Sequence, residues 1–150
     1  MVAAMRDVDY ATRRNGESSI GAHIRHNLDF ITALLCGVAG GRIDYNVRQR
    51  DPRIESDRVY AIEQMMSACE RLRNLTSWRL ASPVIVRSEV NERVWHTSSV
   101  SREIEFLHSH TVHHYALVKW LLNEASESVG ASFGVSPSTL RFRSGVSLAS

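Results

Sequence analysis

At 150 residues the chain is long enough for one compact domain with a real core and too short for two. Hydrophobic residues make up 43% and charged residues 23%, the balance of an ordinary globular protein rather than a disordered one. Lysine and arginine total 18 against 16 acidic residues, and no basic run reaches five residues, so composition favours neither nucleic acid nor a membrane surface as a partner.

From the composition of its first residues, we expect no export signal at the start of the chain. The segment MVAAMRDVDY contains acidic residues and no apolar core of signal-peptide length. No run in the chain approaches the roughly 18 apolar residues that a membrane-spanning helix needs. We therefore expect a cytoplasmic protein.

Residues 19–35 form the first long predicted helix. Ser18 or Ser19 is its expected N-cap, and Gly37, followed by two more glycines, is its expected stop. Its apolar residues recur at helical spacing, at Ile20, Ile24, Leu28, Ile31 and Leu35. The polar segment that follows, GGRIDYNVRQRDPRIE, predicts a loop that crosses one end of a helical bundle.

A second helix is predicted over residues 55–80, with one apolar stripe formed by Val59, Ile62, Met65, Met66, Cys69 and Leu72. The two cysteines, Cys36 and Cys69, lie in apolar segments without CxxC or CxxH spacing. We therefore expect two buried, reduced thiols rather than a disulfide.

The segment PVIVRSEVNERVWHT, residues 83–97, has the alternation and turn residues of two short strands. It predicts a small β-hairpin between the second helix and a third one over residues 99–128. The tail FGVSPSTLRFR is expected to pack as irregular chain. These elements predict a helical bundle in a single domain over residues 1–150.

Four of the seven histidines fall in HSHTVHH, residues 108–114 of the third predicted helix. On a helix His110 and His114 lie about 40° apart, so both rings can reach one point in space. The same arc carries the apolar residues Phe106, Leu107, Leu117, Val118 and Leu121. A divalent metal would satisfy two imidazoles in this apolar setting, and zinc sites use this spacing. The alternative is that each ring bonds a neighbouring side chain.

A third ligand has to come from another element. The first long helix offers His23, His26 and Asp29 within SIGAHIRHNLDF. His23 lies nearer the apolar arc of that helix, whereas His26 lies farther round, on the side of Asp29. Periodicity therefore mildly favours His23 and does not decide between the two.

Several blocks of the sequence resemble the DinB-like family, a superfamily of metal-dependent enzymes that includes bacterial thiol-dependent S-transferases. The resemblance rests on SIGAHIRHNLDF, IDYNVRQRDPRIE, SSVSREIEFLHSHTVHHYALV and FGVSPSTLR, which together span about residues 18–143. It implies an all-α four-helix bundle in which three histidines bind nickel, zinc or a similar divalent ion. The early ligand of the family falls on His26, and the late pair falls on His110 and His114.

The same resemblance places a neighbouring, non-ligating histidine at His113 and leaves His23 as the second choice for the early ligand. Family members usually carry a full helix before the SIG block, whereas only MVAAMRDVDYATRRNGE precedes it here. A short first helix, or a homodimer that replaces the missing packing, is therefore expected. The family's HHRGQ is HHYAL in this chain, so no role of that arginine or glutamine can be transferred.

Three imidazoles leave a coordination position open on a divalent ion, where a water or a thiol is bound with a lowered pKa. The expected activity is thiol (S-)transfer, which the resemblance favours, or hydrolysis of a small reactive molecule. The small-molecule partner would then include a low-molecular-weight thiol. The alternative is a non-catalytic metal-binding or stress-related interaction protein on the same bundle.

Four further residues are candidates near such a site. Glu103, two turns before His110, could act as a base or support a ligand, or pair with an arginine near the start of its helix. Asp29 could orient His26 through the other ring nitrogen, as metal-bound histidines usually require, or lie solvated on the surface. Tyr45 and Arg48 belong to a loop that could cover the site and meet an anionic substrate, although arginines in a loop more often cap helix ends.

Overall fold

The computed structural model of the chain describes residues 2, 5–13, 16, 18–75, 77–124 and 129–145. Within them the fold is mostly helical, with one small sheet. The helices are α1 (Asp7–Ala11), α2 (Ile20–Gly37), α3 (Pro52–Ser56), α4 (Arg58–Arg73), α5 (Ser77–Leu80), α6 (Val100–Glu124) and α7 (Pro137–Arg143). The strands are β1 (Arg42–Ile43), β2 (Pro83–Arg87) and β3 (Trp95–Ser99). The end of the predicted third helix, residues 125–128, lies outside the described residues.

The first long helix begins and ends close to where the sequence predicts. The Ser19 hydroxyl accepts a hydrogen bond from the backbone N–H of Ala22 at 3.1 Å and so caps α2. At its other end α2 passes into a short 3₁₀ turn, and Gly41 then adopts φ +65°, a left-handed conformation that glycine takes without a steric penalty. The capping serine and the terminal glycines therefore behave as predicted.

The second predicted helix is broken into three. Asp57 interrupts it with extended backbone, and its carboxylate accepts from the N–H of Tyr60, so the aspartate is the N-cap of α4. The predicted apolar stripe is wrong at Val59 and Met66, whose side chains are 59% and 68% exposed. Ala61 and Ala68 are the buried residues of α4 instead. A helix that presents alanines to a neighbour can approach it closely, which leaves the larger side chains outside the contact.

The prediction of buried cysteines is also wrong. Cys36 and Cys69 are both exposed, and neither forms a disulfide. Each cysteine lies on the outer side of its helix, one on α2 and the other on α4. An apolar sequence context therefore did not indicate which face of the helix is covered.

The predicted hairpin is confirmed and belongs to a slightly larger sheet. β2 and β3 pair in antiparallel fashion from Pro83↔Ser99 to Arg87↔Trp95. β1 adds to β2 in parallel, with Arg42 opposite Ile85. The loop predicted between the first two long helices is thus wrong at β1 and at α3. The tail predicted to be irregular forms α7, with Ser136 as N-cap and Pro137 in the first turn.

The short first helix is as expected, and it is tied into the core by Tyr10. This side chain is fully buried, and its hydroxyl donates to the carbonyl of Ile54 at 2.6 Å. Burial raises the pKa of the Tyr10 phenol above its ordinary value, and the negative charges of Asp57 and Glu55 add to the shift. α1 therefore packs against α2 and α3 within the same chain.

The buried side chains form two clusters that follow one another along α2 and α6. One contains Tyr10, Ile20, Ile24, Leu28, Val118, Leu121 and Leu122. The other contains Phe30, Leu34, Val38, Ile43, Tyr45, Val84, Val100 and Leu107. On α6, His110 and His114 fall between these sets in sequence, whereas His23 and His26 lie within the stretch of α2 that contributes to the first set. None of the helices in the described ranges combines the length and apolarity needed to cross a membrane.

Candidate metal centre

Three histidines from α2 and α6 come together in one cluster. His26 belongs to α2, and His110 and His114 lie one turn apart on α6. The distances between ring centroids are 5.0 Å for His26–His110, 4.5 Å for His26–His114 and 4.6 Å for His110–His114. One nitrogen of each ring lies within 4.8 Å of the others. Zinc binds imidazole nitrogen at about 2.0–2.1 Å, so the three rings would have to turn towards one another to share one ion.

The electrostatic setting keeps these rings neutral near pH 7. Burial, then the neighbouring His110 and Arg48 charges, lower the pKa of His26 from 6.5 to about 4. Burial and the neighbouring histidines lower the pKa of His114 to about 3, and burial lowers that of His110 as well. A neutral imidazole has a free lone pair, which is the form that binds a metal.

The cluster also contains an unmatched polar atom. Nε2 of His110 is buried and has no hydrogen-bond partner among the described residues. A buried nitrogen without a partner is costly, and a cation at the centre of the cluster would remove that cost. The donor set, its spacing and this nitrogen all fit a divalent metal.

A fourth histidine supports the cluster from α2. Nδ1 of His23 lies 2.9 Å from Nδ1 of His114, so one of these atoms donates a hydrogen bond to the other. If His114 is the donor, its Nε2 has a free lone pair that could bind a metal. His23 is not one of the three histidines whose nitrogens lie within 4.8 Å of one another, so its position is that of a neighbour to a candidate ligand.

Aromatic rings enclose the side of the cluster nearest the second set of core residues. Phe30 lies 4.4 Å from His110 and 4.9 Å from His26 between ring centroids, and Phe106 lies 5.7 Å from His110. Tyr45 stacks on Phe30 at 5.2 Å and is itself buried. Phe30 was not among the predicted site residues, although its spacing of four residues from His26 places the two on one face of α2.

Tyr45 and Arg48 are the two loop residues predicted near the site. Only Arg48 places its polar group next to the histidine cluster. Its guanidinium carbon lies 4.8 Å from the centroid of Phe30. The Tyr45 hydroxyl points elsewhere and donates to the Glu103 carboxylate at 3.0 Å. Tyr45 thus contributes a ring to the wall of the site and not a polar group.

Glu103 is buried, as its position on the helix arc predicts, but its hydrogen bonds lead away from the histidines. It accepts from Tyr45 and from the Ser98 hydroxyl at 2.5 Å. Seven residues of helix separate it from His110, which is about 10 Å along the axis. Two hydroxyl groups therefore hold this carboxylate near the start of α6.

Asp29 is buried on α2, and its carboxylate is engaged by arginines rather than by His26. One oxygen accepts from Nη1 of Arg25 at 2.9 Å, and the other accepts from the backbone N–H of Arg50 at 3.1 Å. Asp29 therefore attaches the loop to α2. His113 is exposed, and its ring meets the edge of His114 at 5.4 Å.

A groove of about 790 Å³ lies apart from the three histidines. It is lined in part by Met65, Met66, Tyr115 and Phe133. None of the three clustered histidines lines it, so the case for a metal rests on nitrogen geometry and not on the size of a cavity.

Comparison with known proteins gives one partial likeness. No family model matches the chain, and no solved structure matches it. FK506-binding protein 5 of Rhizopus delemar is 29% identical over 103 residues, which cover 66% of this chain and 27% of that protein. The chain thus spans about a quarter of the length of this curated relative.

Proposed function

We propose that this protein is a metal-dependent enzyme in which His26, His110 and His114 hold one divalent ion, nickel or zinc. The observation that carries the proposal is the meeting of three imidazole nitrogens within 4.8 Å, on two helices far apart in sequence. Their lowered pKa values support it, because neutral rings bind metal without first losing a proton.

The reaction we propose is thiol transfer to a small electrophilic molecule, with hydrolysis as the related alternative. A divalent ion with an open position lowers the pKa of a bound thiol or water and so supplies a nucleophile near neutral pH. The imidazoles set the position of that ion, and the rings of Phe30 and Phe106 limit water on one side of it. The sequence resemblance to the DinB-like family, with its four-helix bundle and thiol-dependent members, favours thiol transfer.

The metal site is tested by elemental analysis of protein purified without chelator and then dialysed against zinc or nickel. We expect close to one equivalent in the wild-type protein and a loss of binding in His26→Ala. His108→Ala is the control, because His108 is an exposed histidine of α6, the helix that carries His110 and His114. Less than a tenth of an equivalent in the wild type would overturn the proposal.

Catalysis is tested separately with a thiol-conjugation assay on small electrophiles, using several low-molecular-weight thiols. The metal-loaded wild type and His108→Ala should react faster than the solution background, whereas His110→Ala should not. Equal rates in wild type and His110→Ala, with metal bound only by the former, would favour a non-catalytic metal-binding protein instead.

A further inference from the structure

Arg48 lies beside the histidine cluster, in the loop between β1 and α3. Its guanidinium carbon is 4.8 Å from the centroid of the Phe30 ring. The same ring is in contact with His26 and His110. Phe30 therefore links the guanidinium to two of the three clustered histidines.

The Arg48 guanidinium has no acceptor within the described part of the chain. Its Nε is buried and has no hydrogen-bond partner there. Nearby arginines are paired, since Arg25 bonds Asp29 and Glu55, and Arg87 bonds Asp44. A buried donor of a charged group costs free energy unless an acceptor reaches it, so Arg48 is prepared for an acceptor from outside the chain.

The charges around Arg48 also favour an anionic ligand. Arg48 adds a positive charge beside the cluster, next to Phe30. No carboxylate forms an ion pair with it within the described ranges. A divalent ion would make this region strongly positive, which favours an anionic ligand.

We propose that Arg48 binds a carboxylate group of the small molecule that the site accepts, while another atom of that molecule reaches the metal. The planar edge of a guanidinium matches a carboxylate, and such charge-assisted pairs are stronger and more directional than those of an ammonium group. This inference rests on the proposed function, because it names the class of molecule that meets the metal.

The test compares two thiols that differ in one group, 3-mercaptopropionate and 3-mercaptopropanol. Both are titrated into cobalt-loaded protein, and the thiolate-to-cobalt absorption band reports binding. We expect wild type to prefer the acid, and Arg48→Gln to bind the acid about 10- to 100-fold more weakly, as the loss of one charge-assisted hydrogen bond predicts. Affinity for the neutral thiol should change by less than about threefold, because Arg48 makes no contact with the thiol itself.

Two further variants define the result. Arg50→Gln is the matched control, since Arg50 lies two residues away in the same loop with an exposed side chain, and it should behave as wild type. Arg48→Lys keeps the charge without the planar fork and should retain only part of the preference. Direct chelation of cobalt by the acid would persist in Arg48→Gln, so an unchanged preference in that variant would overturn the inference. Failure of the wild type to take up cobalt would overturn the proposed function as well.

Discussion

His23 and His114 share one proton between Nδ1 atoms that lie 2.9 Å apart. If His114 binds a metal through Nε2, its Nδ1 carries the hydrogen and donates it to His23. This arrangement fixes the tautomer and the orientation of the ligand ring, as the outer partners of metal-bound histidines commonly do. With a metal bound, the four imidazoles would divide into three ligands and one supporting ring.

This division predicts unequal effects of two substitutions on the same helix. His26→Ala should abolish metal binding, whereas His23→Ala should weaken it about 10- to 100-fold, as loss of an outer partner does. Competition with a chromophoric chelator measures both affinities. A complete loss of binding in His23→Ala, with binding kept in His26→Ala, would show that His23 is the ligand.

The sequence predicted the site residues unevenly, and the reasons are physical. The proximity of His110 and His114 can be predicted from helical geometry alone, because the two residues lie one turn apart on the same helix. The choice of His26 over His23 came from family resemblance, since the helical wheel favoured the other residue. No sequence pattern could predict that His23 faces His114, because that contact joins two residues 91 positions apart in the chain.

At the scale of elements, α2 and α3 approach each other at Gly21. A Cβ at this position would lie 2.1 Å from the carbonyl oxygen of Glu55 and 2.8 Å from Cε1 of Tyr10. The first neighbour is backbone, so it cannot rotate away. Glycine is required here because of close packing, and not because of its backbone angles.

Gly21→Ala should therefore lower the free energy of unfolding by about 2–4 kcal/mol, as overpacking against backbone does. Gly40→Ala is the control, since no atom lies within 4 Å of its built Cβ, and it should change stability by less than about 1 kcal/mol. Urea denaturation followed by circular dichroism measures both. Equal stability of the two variants would show that α3 moves freely away from α2.

Periodicity predicted α2, the hairpin and α6 because each is long or strongly patterned. It failed where an element is short or where one residue ends a helix. Asp57 breaks the second helix by capping α4, and a two-residue strand such as β1 has no pattern of its own and depends on its partner β2. The N-cap Ser136 and the first-turn Pro137 of α7 are a helix start signal that is present in the sequence itself.

For the whole molecule, the neutral, partly buried histidines make the metal-free protein sensitive to acid. The pKa values of His26 and His114 fall from 6.5 in the unfolded chain to about 4 and about 3 in the folded one. At a pH between the folded and unfolded pKa values, the unfolded state binds more protons than the folded state. The contribution of these histidines to stability is therefore complete above about pH 6.5 and is lost as the pH falls.

We therefore expect the midpoint of urea denaturation of the metal-free protein to be constant from pH 8 to 7 and to decrease steadily from pH 6.5 to 4.5. His26→Ala should show a shallower decrease, because one of the depressed groups is removed. The measurement compares the slopes of the denaturation midpoint against pH for the wild type and for His26→Ala. Identical slopes would contradict the burial of a neutral His26 in the folded state.

On α6, His110 and His114 lie between two sets of buried side chains that meet through few residues, among them Ile31. Without an ion, each half of the core can loosen by local opening while the other stays closed, so backbone amides in the two halves would exchange hydrogen at different rates. An ion held by α2 and α6 closes a loop of roughly 80 residues and joins both halves at their boundary. Metal binding would then make the two halves of the core open together, whereas without the ion each half could open separately.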